Sequence, residues 1–214
     1  GNSMGGVIVE SGKFNWAQND KFPSMTTPDD AYHGLTFYET FGDFGFTMRV
    51  RAVALRDFGP ALSPTNAFMT LTGIETLPLR MERHCANAHR VATFLEDHPA
   101  VAWVSYAGLR SSPSLKNKNR YFPNGSGGVF TFGLKDGYEA GTRLVESCTL
   151  LSHLANVGDT RSLILHPAST THRQLTEDQQ IAAGAGPDVV RISVGIETAE
   201  DIIRDLDQAL AGAS

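Results

Sequence analysis

Apolar residues Phe68, Leu71, Leu77, Met81, Val91 and Leu95 recur at helical spacing. The pattern lasts for roughly 30 residues at about 1.5 Å each, more helix than a small domain needs. Ser63-Pro64 opens it: the serine hydroxyl caps an orphan amide, and proline is tolerated at the first helical position because its missing N–H is not needed there. Pro78 falls inside the pattern, where its ring clashes with the preceding turn, so a kink is expected. A long kinked helix suits a bridge between two domains. It divides the chain into residues 1–60, the bridging helix 61–98, and a C-terminal small domain 99–214.

On the near side of the helix, Gly5–Gly12 reads as a glycine-bounded strand with no earlier element to pair with it. It is either a sheet edge or the continuation of a longer polypeptide. Residues 13–40 carry Phe14, Trp16, Phe22, Tyr32, Phe37 and Tyr38, too many rings for a solvated linker. They are expected to form a long ordered loop that packs on something, another subunit being one candidate. Residues 41–57 are expected to be helical. Beyond His98-Pro99 the texture changes to strands at 101–106, 128–134, 149–154, 162–165 and 189–194. Helices are expected at 138–146, 176–183 and from Thr198 onward, with a loop over 107–124. Strands interleaved with helices imply an α/β or α+β domain of about 110 residues.

Several function classes lack support. The net charge of −5 is spread along 214 residues, and the one basic cluster, Lys116, Lys118 and Arg120, reads as a solvated loop, so nucleic acid is not an expected partner. No apolar run reaches transmembrane length and no signal peptide opens the chain, so no membrane partner and a cytoplasmic location are expected. Cys85 and Cys148 show no paired spacing and read as buried thiols in a reducing compartment. Cys85 and His89 lie four apart on a helix, but a structural metal site needs about four ligands, so no metal is expected. No G-x-S-x-G is present. Gly125-Ser126-Gly127-Gly128 lacks a following Lys-Ser/Thr and runs into a strand, which makes it a turn.

Arg191 is physically unusual. It interrupts Val189-Val190-Arg191-Ile192-Ser193-Val194, otherwise a buried strand. A guanidinium among apolar neighbours is costly unless paired, and its planar fork matches a carboxylate bidentately. Two readings stay open: an edge-strand arginine pointing to water, or a receptor for an acidic ligand. Asn156–Thr160 and His166–His172 flank a short strand with polar ends, where sites form but where most such residues are caps.

Together these stretches resemble the Cys/Met-metabolism enzymes that use pyridoxal phosphate (PLP). Ser63–Arg83 (SPTNAFMTLTGIETLPLRMER) resembles the family's bridging helix, and Asn156–His172 its S-L-G-x…HPASMTH segment. Val190–Ile196 (VRISVGI) resembles its arginine strand. Gly1–Val9 resembles what directly follows the cofactor lysine. Within the family, residues 13–40 with Tyr32-His33-Gly34 resemble the O-acetylhomoserine sulfhydrylase branch.

The resemblance implies an α/β fold, the C-terminal part of a fold-type I PLP-dependent transferase. It implies that Arg191 binds the substrate α-carboxylate. Asn156 would stand where the family often has a serine whose backbone meets the same group. Ala155 would stand where some cystathionine enzymes carry glutamate. The implied reaction is γ-replacement on O-acetyl-L-homoserine by sulfide or a thiol, giving homocysteine or methionine, with PLP as electron sink. No catalytic residue is expected in this chain: the Schiff-base lysine belongs upstream of Gly1, and the chain alone should be inactive. A homotetramer is implied for the intact protein. Alternatives are O-succinylhomoserine sulfhydrylase, cystathionine γ-synthase, methionine γ-lyase, or a non-catalytic carboxylate-binding module.

Overall fold

In the computed structural model, which describes residues 3–213, the long helix starts as its cap dictates. The Asn66 amide donates to Ser63 Oγ at 3.1 Å, opening α5 (Pro64–Glu75). Gly1 and Asn2, part of the segment resembling the lysine's sequel, lie outside the described residues. The chain forms two compact units, one up to Gly73 and one from Ile74.

In the first unit the rings pack on one another. Trp16 stacks on Phe46 with centroids 5.4 Å apart, and Phe14 and Phe22 meet Trp16 edge-on at 4.7 and 5.1 Å. Residues 13–40, expected as loop, contain the 3₁₀ turns Trp16–Gln18 and Asp30–Tyr32 and the short helices α1 (Pro23–Thr26) and α2 (Phe37–Phe41). The helical expectation for 41–57 holds, as α3 (Gly45–Arg49), a π-helical stretch (Val50–Leu55) and α4 (Arg56–Phe58). Arg49 pairs with Asp29 at 3.0 Å, its guanidinium over the Phe37 ring. The strand expected at Gly5–Gly12 is absent. That segment has no regular structure, and Val7 and Val9 are 86% and 85% exposed. A strand exists only through ladder hydrogen bonds, and no described strand of this unit stands beside it.

The expected kink at Pro78 is realised as a break: helical structure stops at Glu75 and restarts as α6 (Leu77–Glu96). Five strands follow: β1 (Val101–Ser105), β2 (Val129–Leu134), β3 (Ser152–His153), β4 (Leu163–Leu165) and β5 (Val189–Ser193). Their order is β1-β2-β5-β4-β3, antiparallel except for the β3–β4 pair. The arginine strand β5 is therefore central, not an edge. Between the strands run α7 (Leu115–Tyr121), α8 (Gly137–Ser147) and α9 (Glu177–Ala182), and α10 (Ala199–Ala213) closes the chain.

Phe132, Ile164, Val190 and Ile192 on one sheet face pack with Leu95, Leu144, Ile202, Leu206 and Leu210 of α6, α8 and α10. Each such buried side chain contributes about 1.5–3 kcal/mol. Two expectations fail here. The loop at 107–124 contains α7, whose polar residues Lys116–Arg120 give no apolar period to read. The strand at 149–154 shrinks to two residues, because the amides of Thr149, Leu150 and Leu151 are taken by the Asp205 carboxylate and not by a ladder.

His166, directly after β4, is fully buried, and burial lowers its pKa from the ordinary imidazole value. Nε2 donates to Pro187 O at 2.8 Å, and Nδ1 meets Ser169 Oγ at 3.0 Å. The ring lies against Gly141 of α8, where a Cβ would come 2.5 Å from His166 Cδ2. Alanine gains up to about 1 kcal/mol of helix propensity over glycine. Overpacking against a ring pinned at both nitrogens costs about 1–3 kcal/mol. The clash wins, so Gly141→Ala is expected to lower the unfolding midpoint in urea, whereas a raised midpoint would show that the ring can move aside.

Candidate functional site

Strand β5 alternates its side chains. Val190 and Ile192 enter the helix-covered core with no exposure, while Arg191 projects from the opposite face, half-buried. In register beside Arg191 lie Thr131 of β2 and Leu165 of β4. Arg191 Nη2 donates to the backbone carbonyl of Asn156 at 3.3 Å. Among the described residues no carboxylate lies within ion-pair distance of Arg191. A guanidinium held by one neutral carbonyl keeps most of its five donors for a ligand, and a carboxylate is the ligand whose geometry matches the fork.

The two residues singled out in the sequence are thus together, though by a contact the residue types did not show. Asn156 is exposed, and its Oδ1 accepts from its own neighbour, the Val157 amide, at 2.9 Å. Its main chain is what meets the arginine. Ala155 is exposed alongside.

Sequence reasoning missed the groups that hold this loop. Ser193 Oγ accepts from the Gly158 amide at 3.3 Å, and the Ile196 amide donates to Thr160 O at 2.9 Å. Ser162 Oγ accepts from the Gly195 amide at 2.8 Å and donates to Glu197 Oε2 at 3.0 Å. The Ser162 amide donates to Glu197 Oε1 at 2.5 Å. Gly195 has no room for a side chain: a Cβ would lie 2.4 Å from Thr160 O and 2.6 Å from the Arg161 carbonyl carbon. From the other side α6 grips the same turn. His84 Nδ1 donates to Val194 O at 2.6 Å, and Asn87 Nδ2 donates to Gly195 O and Glu197 O at 3.0 and 2.8 Å.

The donor set does not fit a covalently held PLP. Lys13, Lys21, Lys116 and Lys135 are exposed and Lys118 is half-buried on α7. None is the desolvated amine that such an anchor needs. The described residues also hold no group of three or more His, Cys, Asp or Glu placed to bind a metal, and no helix long and apolar enough to cross a membrane. What they hold together is Arg191 and the Asn156 carbonyl, with no carboxylate paired to that guanidinium among the described residues.

Comparison with known proteins gives this geometry its setting. The profile of the Cys/Met metabolism PLP-dependent enzymes matches residues 1–211. An O-acetyl-L-homoserine sulfhydrylase of Leptospira meyeri is 48% identical over 98% of the chain and 49% of its own length. A homocysteine synthase of Schizosaccharomyces pombe is 49% identical, again over 98% of the chain and 49% of its own length. The chain spans about half the length of the curated relatives it matches. A crystal structure described as an O-acetylhomoserine (thiol)-lyase of Campylobacter jejuni, containing N'-pyridoxyl-lysine-5'-monophosphate, superposes with a TM-score of 0.81. It is 40% identical and covers 91% of this chain and 46% of that one. The mixed sheet and its helices are accordingly the α/β arrangement of the C-terminal part of a fold-type I enzyme. Matched along nearly its whole length by one profile and by relatives close to half identical, the chain belongs to the Cys/Met metabolism family of PLP-dependent enzymes.

Proposed function

We propose that this chain is the substrate-carboxylate half of a PLP-dependent γ-replacement enzyme of methionine and homocysteine biosynthesis. The complete protein replaces the acetate of O-acetyl-L-homoserine by sulfide or a thiol, forming the C–S bond of homocysteine or methionine and releasing acetate. The observation that carries the reading is Arg191: a guanidinium on the central strand, tied to one carbonyl and facing no carboxylate among the described residues. The O-acetyl-L-homoserine sulfhydrylase of Leptospira meyeri supports the acetyl ester as the substrate, and the homocysteine synthase of Schizosaccharomyces pombe supports homocysteine as the product. Arg191 would hold the amino acid's acid group, fixing the carbon chain relative to the reacting bonds, a positioning effect. Asn156 would act through its carbonyl on Arg191.

In this reading the lysine and the rest of the PLP cradle belong to the half of the protein ahead of Gly1, and residues 61–98 bridge that half to the small domain 99–214. The complete protein would be a cytoplasmic homotetramer. Its PLP-loaded form is expected to favour O-acetyl-L-homoserine over the O-succinyl ester by about tenfold or more in kcat/KM with sulfide. The isolated chain with added PLP is expected to give no turnover. Preference for the succinyl ester, or turnover by the isolated chain, overturns the proposal.

A further inference from the structure

We infer that Ser193 and Glu197 are positioning residues, setting the Arg191 guanidinium by stapling the 156–162 loop to the end of its strand. The inference rests on the reading of Arg191 as carboxylate receptor.

The contacts form a ladder. Every second loop residue is tied to β5 or the turn after it: Asn156 O to Arg191, the Gly158 amide to Ser193, Thr160 O to the Ile196 amide, and Ser162 to Gly195 and Glu197. Two rungs are side chains that the reaction does not otherwise use. Ser193 is 3% exposed and two residues from Arg191, so both project from the same sheet face. Its hydroxyl fixes Gly158, and with it the Asn156 carbonyl only two residues away. Glu197 clamps the loop's far end through both carboxylate oxygens on one serine. Its own main chain is held by Asn87 and by Arg83 Nη2, at 3.2 Å, from α6. Asn156 is exposed and its side-chain oxygen is engaged by the Val157 amide, so these rungs are what hold its carbonyl in line with the guanidinium. Without them the arginine loses its fixed rotamer, and the ligand must order both the loop and the side chain on binding.

The test is steady-state kinetics of the complete PLP-loaded enzyme with the two substrates varied separately. Ser193→Ala and Glu197→Gln are each expected to raise KM for O-acetyl-L-homoserine about 3- to 10-fold, the value of one lost hydrogen bond. KM for sulfide and kcat should move less than about twofold, and Ser193→Thr should restore the ester KM. Arg191→Ala run beside them separates the two ideas. A raised ester KM in Arg191→Ala with none in Ser193→Ala or Glu197→Gln overturns the positioning role and leaves the receptor standing. No change in Arg191→Ala overturns both. Equal losses on both substrates with a lowered Tm mean general damage and also overturn the role. Glu197→Gln, which keeps shape and volume, decides the matter if Ser193→Ala does not fold.

Discussion

Arg191→Ala in the complete enzyme is expected to cut kcat/KM for the amino-acid ester by roughly 10- to 200-fold, mostly through KM. A hydrogen bond to a charged group contributes about 1.5–3 kcal/mol, and each 1.4 kcal/mol is tenfold. The upper part of the range applies because a bidentate pair both binds and orients. Arg191→Lys should recover little, since an ammonium offers a point charge and no fork, and it stands shorter on the strand. Stability should change modestly: the loop keeps its rungs at Ser193, Thr160 and Ser162 when the rung at Asn156 is lost. Unchanged kinetics for the ester would remove the arginine from the site.

What could be read in the sequence was what acts locally. Ser63-Pro64 and Pro78 announced a capped helix and its interruption because caps and proline rings work within one turn. Arg191 stood out because a charge inside an apolar run is visible from composition alone. Its place on the central strand was not visible: strand order comes from pairing partners tens of residues away. The link to Asn156 was equally hidden, since Arg191 contacts a backbone carbonyl that any residue supplies. Ser193 read as a strand residue and Glu197 went unremarked, just ahead of the closing helix expected from Thr198, and only the folded loop gives their side chains a task. Gly195 carried the one available signal, a glycine at the end of a buried strand where backbone must come close. Gly5–Gly12 was misread for a related reason. Val7-Ile8-Val9 has strand composition, but composition supplies no neighbour to pair with.

Asp205→Ala should be the most destabilising single change in the small domain, by about 3 kcal/mol or more. The carboxylate, 5% exposed on α10, accepts from the amides of Thr149, Leu150 and Leu151 and from Thr149 Oγ1. Removing it strands three main-chain donors where α8 turns toward β3, and alanine puts no acceptor in their place. For a domain of about 110 residues the loss corresponds to a Tm lower by roughly 12 °C or more.

A pH dependence accompanies it. Burial pushes the Asp205 pKa up, but the Thr149, Leu151 and Leu150 amides and the Thr149 hydroxyl outweigh it, leaving the folded value below the ordinary one. A carboxylate with a depressed folded pKa binds fewer protons folded than unfolded. Its stabilisation is therefore complete above the unfolded value of about 3.9 and is lost as pH falls through the folded value. Asp205→Asn should be less stable than the parent at pH 7 and should lose less stability than the parent on acidification below about pH 4. Parallel curves for the two proteins across that range would mean that the amides are served equally well by a neutral side chain, and that the charge at this junction adds nothing.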